Sequence, residues 1–317
     1  RLARWILMLG YDCDWSQSNV DLINQQYGNP SQFSLGGFFQ SKYSIGSGFN
    51  FSSGIRYDYR IANPGNNFQK RIYTHLTPKI SLSYSMKPTR LFSVSYSQGF
   101  RAPSISELYL YHFTSYELEV KGNPELLPEK VESLEITHEN KYNDLWFWSI
   151  AIFHNRYENM IDFVYDSPAI AKNIKGVISK GFEYQFNFKP LEKFIINGSY
   201  SFLDMQDLEG DTILYRSKYR GKLFFEINLD IITLILGLQG WSKQYYADFL
   251  EHFDYVHGFP IKELPQRIIP ELILSRDYNT YNFSVSINNL LDTKYDLIQN
   301  YTMPGRTWQF SLTKTIK

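Results

Sequence analysis

Apolar and polar residues alternate with a period of two through most of this chain, and they do so in segments of about 10 residues. Phe49, Phe51, Ile55, Tyr57 and Tyr59 interleave with Asn50, Ser52, Gly54, Arg56, Asp58 and Arg60. Leu76, Ile80, Leu82, Tyr84 and Met86 interleave with Thr77, Lys79, Ser81, Ser83 and Ser85. The same rhythm returns at Phe92–Ser97, Phe182–Phe188 and Phe283–Asn288. A strand sends successive side chains to opposite faces, so each segment carries one greasy face and one polar face. This pattern constrains the fold to an all-β architecture and leaves two families of solution, a soluble sandwich or a membrane-spanning barrel.

Segment length and loop parity separate the two. A tilted strand crossing a bilayer needs about 9–11 residues. The connections alternate between short (Lys87–Thr89, Asn143–Asp144, Lys189–Lys193, Tyr278–Thr280) and long (Cys13–Gln32, Gly99–Lys130, Met205–Ser217, Tyr245–Leu264, Asp292–Gly305). Short periplasmic turns with long extracellular loops are the outer-membrane pattern, and a sandwich has no reason to keep it. The spacing predicts about 14 strands, over 3–12, 33–42, 46–60, 74–86, 90–98, 131–141, 145–158, 177–188, 194–204, 219–229, 232–244, 266–277, 281–290 and 306–316. The sandwich alternative predicts that Phe182, Tyr184, Phe186 and Phe188 lie in a core.

Composition agrees. Aromatic residues make up 17% of the 317 residues, and rings with a polar tip suit membrane–water interfaces. No apolar run approaches the roughly 20 residues of a transmembrane helix; the longest, Ile231–Leu238, is broken by Thr233 and Gly237. A formal net charge of zero carries no electrostatic footprint for nucleic acid. The one cysteine, Cys13, excludes an internal disulfide and a paired-cysteine redox or zinc site. Enzyme signatures are absent: there is no GxSxG, no phosphate-binding glycine loop, and His138-Glu139 lacks the second histidine of HExxH. The reading is therefore a non-enzyme with no cofactor and no metal site of its own. Lumen-facing Arg56, Asp58, Arg60, Glu183 and Glu226 are expected to pair with one another, with water or with a plug.

Ordered phrases resemble the C-terminal barrel portion of TonB-dependent outer-membrane receptors. Tyr96-Ser97-Gln98-Gly99-Phe100-Arg101-Ala102-Pro103 resembles the family's "FRAP" box, followed by Ser106-Glu107-Leu108-Tyr109. Gly122-Asn123-Pro124-Glu125-Leu126 and Pro128-Glu129-Lys130 resemble its "GNPxLxPE" box. Phe153–Ile161, Val285–Tyr295 and the final strand opened by Pro304-Gly305-Arg306-Thr307 follow in family order. Phe100, Arg101, Pro103, Gly122, Asn123 and Pro124 read as loop anchors: proline fixes φ and removes a donor, glycine permits unusual backbone, and Arg101 offers a forked donor to a carboxylate.

The resemblance implies a plugged barrel of about 22 strands, of which residues 1–317 would supply the last 14 or so, without plug and first strands. It implies an outer-membrane location in a Gram-negative-type bacterium, lipid contact, coupling to the TonB complex through the absent plug, and a small chelate ligand of the iron–siderophore, haem or cobalamin class. The opening at Arg1 without an initiating Met reads as a fragment. Ile316 stands where such barrels commonly end in an aromatic residue. In haem receptors of this family a histidine between the two boxes can ligate iron, which makes His112 a candidate with Tyr109, Tyr111 and Tyr116 around it. The plainer reading is an aromatic loop with a surface histidine. His252 and His257 form a second candidate pair, at a spacing that matches no recognised metal motif. A runner-up, a self-contained 14-stranded passive channel, predicts that Arg4–Asp12 pairs with Thr307–Ile316.

Overall fold

The computed structural model describes residues 4–19, 22–23, 25–66, 68–113, 119–164, 168–174, 176–208, 210, 213–248 and 260–315. Fourteen strands form one antiparallel meander in which every strand pairs with its neighbours in sequence order. They are β1 (Trp5–Gln17), β2 (Ser31–Gly46), β3 (Phe49–Asn63), β4 (Arg71–Lys87), β5 (Arg90–Arg101), β6 (Glu129–Tyr142) and β7 (Trp146–Glu158). The second half comprises β8 (Val177–Leu191), β9 (Phe194–Asp207), β10 (Tyr219–Asn228), β11 (Thr233–Trp241), β12 (Arg267–Tyr278), β13 (Tyr281–Asn288) and β14 (Thr307–Lys314).

The register shows why the alternation must be kept. Directly opposed residues share a face. One such row crosses ten strands, from Trp5 through Tyr43, Phe51, Leu82, Val94, Ile136, Ile152, Phe182 and Phe202 to Tyr219. A second row, nearer the short turns, runs from Tyr142 through Trp146, Phe188, Ile196, Phe225, Leu236, Leu272 and Ile287 to Trp308. A one-residue slip of β3 or β4 would put Asn50 or Ser52, or Ser81 or Ser83, into the first row. The other face is small and polar, as in the row Ser93, Thr137, Ala151, Glu183, Ser201, Arg220.

The sandwich alternative fails on burial. Phe182, Tyr184, Phe186 and Phe188 are half-buried, with no core around them, and among the described residues the remaining sheets have only four, two and two strands. The apolar face is open along its length: Leu9 is 82% exposed and Leu312 61%. Such a face is stable only against lipid, since soluble monomers rarely expose contiguous apolar patches beyond a few hundred Å².

The sheet is not closed. Among the described residues β1 pairs only with β2 and β14 only with β13, so the pairing that a self-contained channel requires is absent. Several strands run further towards the long-loop side than the alternation predicted. β1 continues to Gln17 and β5 to Arg101. In β1 the alternation itself continues, with Tyr11, Cys13 and Trp15 outward and Asp12, Asp14 and Ser16 inward, while pairing runs on to Gln17. The expected lumen pairing occurs at Arg56, which bridges Asp12 at 2.6 Å and Asp58 at 2.7 Å. Ile316 lies outside the described residues.

Candidate functional site

The two family-like boxes meet at the long-loop end of the sheet. After β5, Ser104 caps a one-turn helix, α1 (Ile105–Tyr109), through a complete capping box: its side chain accepts from the Glu107 amide, and the Glu107 carboxylate accepts from the Ser104 amide at 2.7 Å. The helix end is closed by the second box. The Gly122 amide donates to the Leu110 carbonyl and the Asn123 amide to the Glu107 carbonyl, both at 2.8 Å. A Cβ on Gly122 would lie 2.6 Å from the Leu108 carbonyl carbon and the Tyr109 nitrogen. Only glycine lets the turn approach this closely.

Arg101 ties the assembly together. Its guanidinium forks onto both oxygens of Glu107 at 2.9 Å and donates through Nε to Glu129 at the start of β6. The second oxygen of Glu129 accepts the Ile161 amide at 2.7 Å, which joins the next long loop. Burial pushes the Glu107 carboxyl up, yet Arg101 and Ser104 outweigh it and hold the group below its ordinary value. The Pro103 carbonyl accepts from Gln32 at 2.9 Å and the Pro124 carbonyl from Arg71 at 2.6 Å, so both prolines anchor to other loops and strands.

Under this network sits the main buried apolar cluster of the described residues: Ile23, Ala62, Tyr73, Ala102, Leu108, Tyr109, Leu126, Ile161 and Ala171, with Phe100 packed against it. Three long connections contribute to it, together with Ala62 at the end of β3 and Tyr73 near the start of β4. A four-stranded loop sheet (Met160–Val164, Ala169–Ile174, Glu119–Lys121, Tyr111–Phe113) locks two of them together. One pair within it, Ala169–Ile170 beside Val120–Lys121, is parallel.

The candidate ligand residues separate. Tyr109 is a core residue at 2% exposure, its ring 4.8 Å from that of Tyr27. Burial raises its hydroxyl pKa and keeps it neutral, so its ring holds the loop body together and is not presented to a ligand. Tyr111 and His112 are exposed on an edge of the loop sheet, with Phe113 beside them. Tyr111 lies near Glu119, which raises its hydroxyl pKa, and Lys121 pairs with Glu119 at 3.0 Å. Tyr116, His252 and His257 lie outside the described residues. Among the described residues no three His, Cys, Asp or Glu side chains gather as a metal site.

One residue escaped the sequence reading altogether. Arg267, at the rim of β12, is 6% exposed, with its guanidinium 5.1 Å from the Trp241 ring and 5.7 Å from the Tyr295 ring. Nη2 donates to Gln244 at 3.3 Å, while Nε and Nη1 are buried without a partner. Its place at the head of a strand, two strands from Arg220, emerges only from the register.

An open-edged meander of long strands, apolar outside and polar inside, with interlocked loops at one end, defines an outer-membrane barrel segment. The chain belongs to the TonB-dependent receptor-like β-barrel family, whose model matches residues 4–290. That family comprises receptors and transporters of the Gram-negative outer membrane. The chain is 38% identical over 127 residues to lactoferrin-binding protein A of Neisseria meningitidis, covering 38% of this chain and 13% of that protein. It is 23% identical over 315 residues to the vitamin B12 transporter BtuB of Photobacterium profundum, covering 97% of this chain and 47% of that one. The FrpB iron transporter from Neisseria meningitidis superimposes with a TM-score of 0.75 at 12% identity, over 98% of this chain and 53% of FrpB. The chain thus spans about half the length of the relatives that it matches from end to end.

Proposed function

We propose that this chain is the C-terminal part of the barrel of an energised outer-membrane importer for a scarce chelate nutrient of the iron–siderophore, haem or cobalamin class. Ligand binds among the long loops and the upper lumen. A plug and the first strands, outside this chain, complete the barrel and carry the contact with TonB. The protein makes and breaks no covalent bond; its barrel supplies shape, loop contacts and a polar lumen.

The observation that carries this reading is the pair of open sheet edges. Unpaired backbone groups in lipid cost several kcal/mol each, so β1 and β14 call for further strands, as an incomplete larger barrel would. The test is deletion of the full-length gene, followed by uptake of labelled ferric siderophores, haem and cobalamin in cells with and without a functional TonB. Loss of TonB-dependent uptake of one class supports the reading. Unchanged uptake of all three, with loss of general small-solute permeability, would establish a passive pore instead. The haem version rests on the exposed His112, and it requires that His112→Ala abolish haem binding by the full-length receptor.

A further inference from the structure

The lipid-facing surface of the last three strands carries two cations without an acid beside them. From the apolar row Leu272, Ile287, Trp308, the outer face steps towards the short turn between β12 and β13 in three further rows. These are Leu274, Val285, Phe310, then Arg276, Phe283, Leu312, then Tyr278, Tyr281, Lys314. Each step is two residues, so the outer face is kept. Arg276 and Lys314 are exposed, and among the described residues neither pairs with a carboxylate. Lys314 lies over the Tyr281 ring, 5.4 Å from its centroid. Asp277, next to Arg276, belongs to the lumen face, where Asn282 donates to it at 2.7 Å. Cations at other short turns are matched: Lys193 by Asp230 at 2.6 Å, Lys141 by Asp144 at 3.7 Å and Arg90 by Asn140 at 3.1 Å.

A groove of 430 Å³ opens on the same face, with an apolar lining from Ile232, Leu274, Phe283, Val285, Phe310 and Leu312. Arg276 lines its turn-side end. Lys314 stands one step beyond, after Leu312 on the outer face of β14. The two cations are two strands apart and two residues out of line, about 12 Å between Cα atoms by strand geometry. Both side chains are long enough to converge on one group between them, and both can bring their charge towards the turn-side interface while the stem stays on apolar surface. The rings of Tyr278 and Tyr281 mark that interface. A further strand at the free edge of β14 would extend the sheet sideways and leave this face open to lipid.

We propose that the outer face of β12–β14 is a binding site for an anionic glycerophospholipid of the periplasmic leaflet, with an acyl chain in the groove and the phosphate between Arg276 and Lys314. Short turns mark the periplasmic side, which places the head group in that leaflet. The phosphate supplies the acceptors that both cations lack, through charge-assisted hydrogen bonds. A zwitterionic head group would bring its own cation up to two others, so the site discriminates by repulsion as well as by attraction. The inference depends on the barrel and its orientation, and is independent of the imported solute.

The full-length receptor in neutral detergent is titrated with phosphatidylglycerol, phosphatidylethanolamine and diacylglycerol of identical chains, and bound lipid is counted by native mass spectrometry. The expected result is phosphatidylglycerol bound about 10-fold more tightly than phosphatidylethanolamine, with diacylglycerol weaker still and the preference shrinking as salt rises. Arg276→Gln with Lys314→Gln should abolish the preference, and Arg276→Lys with Lys314→Arg should keep most of it. Both side chains are exposed, so the melting temperature should not move in either variant. Lys193→Gln, which removes a matched cation at another short turn, should leave the preference unchanged. Equal binding of the two phospholipids overturns the proposal, and so does a preference that survives the double glutamine variant. A preference that falls equally in Lys193→Gln also overturns it, because general surface charge would then account for it. Diacylglycerol bound as tightly as phosphatidylglycerol overturns it too, since the groove alone would then hold the lipid.

Discussion

Replacing Arg101 by Met should loosen the loop body without touching the barrel. The substitution keeps the aliphatic stem and removes all five donors. It leaves two carboxylates facing each other across the vacated space, Glu107 at 16% and Glu129 at 18% side-chain exposure. An exposed pair is worth up to about 1 kcal/mol, whereas breaking a buried one costs about 3–5 kcal/mol. Arg101 is itself 43% exposed, which places the cost between these limits, about 2 kcal/mol. That corresponds to roughly 30-fold faster local opening. Hydrogen exchange on the full-length receptor should show it in the amides of Leu108 and Leu110, and in Ile161, whose amide rests on Glu129. Adding Glu107→Gln to Arg101→Met should recover part of the protection, because one stranded charge is gone. Unchanged protection in these amides, or a loss spread evenly over the barrel strands, would refute the view that Arg101 joins two loops into one body.

Acid should loosen the same region. Glu107 has a folded-state pKa below its ordinary value of 4.5, so its contribution is complete above that value and is lost as pH falls through the folded one; exchange of the α1 amides measured from pH 6 downwards should accelerate only below about pH 5. Gly122→Ala should displace the box from α1 and cost about 1–3 kcal/mol of loop stability, since the clash is with backbone atoms; limited proteolysis between residues 100 and 130 checks it. Gly36→Ala should cost about 1 kcal/mol or less, because the added Cβ meets Nη2 at the tip of the flexible Arg56 side chain at 1.9 Å and disturbs its exposed bridges to Asp12 and Asp58; faster exchange in β1 and its neighbours is the expected readout. Tyr109→Ala should cost about 3–5 kcal/mol of loop-body stability through the cavity it opens, and ligand affinity should fall only as far as protection in the body falls.

How much of this was legible depended on which solvent a residue faced. Lipid demands an apolar side chain at every second position, so Phe49, Phe51 and Ile55 announced β3. Past the membrane both faces meet water. In β1 Tyr11, Cys13 and Trp15 keep alternating with Asp12, Asp14 and Ser16 as far as Gln17, and it is the density of polar residues that makes this stretch read as a loop. The helix α1 had a readable signature: Ser104 followed three residues later by Glu107 is a capping-box spacing. Its length hid it, because five residues give no 3.6-residue periodicity. The forked reach of Arg101 to a carboxylate was foreseeable in kind, while its partners Glu107 and Glu129 required the loop to be folded. The parallel contact of Glu119–Lys121 with Ala169–Ile174 was not legible, since it joins two different loops across β6 and β7 and follows no local rule. Tyr109 misled for a related reason. An aromatic residue in a polar loop reads as exposed until other loops supply a core to bury it.

The loop end of this sheet divides into two regions with different chemistry. Over β1–β8 the connections share an apolar core, the carboxylate–arginine pairing around Arg101 and a common loop sheet. Rearranging any one of them exposes the others' apolar surface, so this half behaves as a fixed rim. Over β9–β14 the ties are polar: Asp248 receives Lys262 at 2.7 Å and Gln299 at 2.6 Å, and Gln244 donates to the Tyr215 carbonyl at 3.3 Å. Asp248 and Gln244 are themselves 5% exposed, so these are buried polar ties, and losing one leaves a buried group unsatisfied at a cost of about 1–3 kcal/mol. The unmatched donors of Arg267 lie in this second half, under the ring of Tyr295 in one of its loops. The sequence distributes the two kinds of tie by placing Leu108, Tyr109, Leu126 and Ile161 in the early loops and Gln244, Asp248, Lys262 and Gln299 in the late ones.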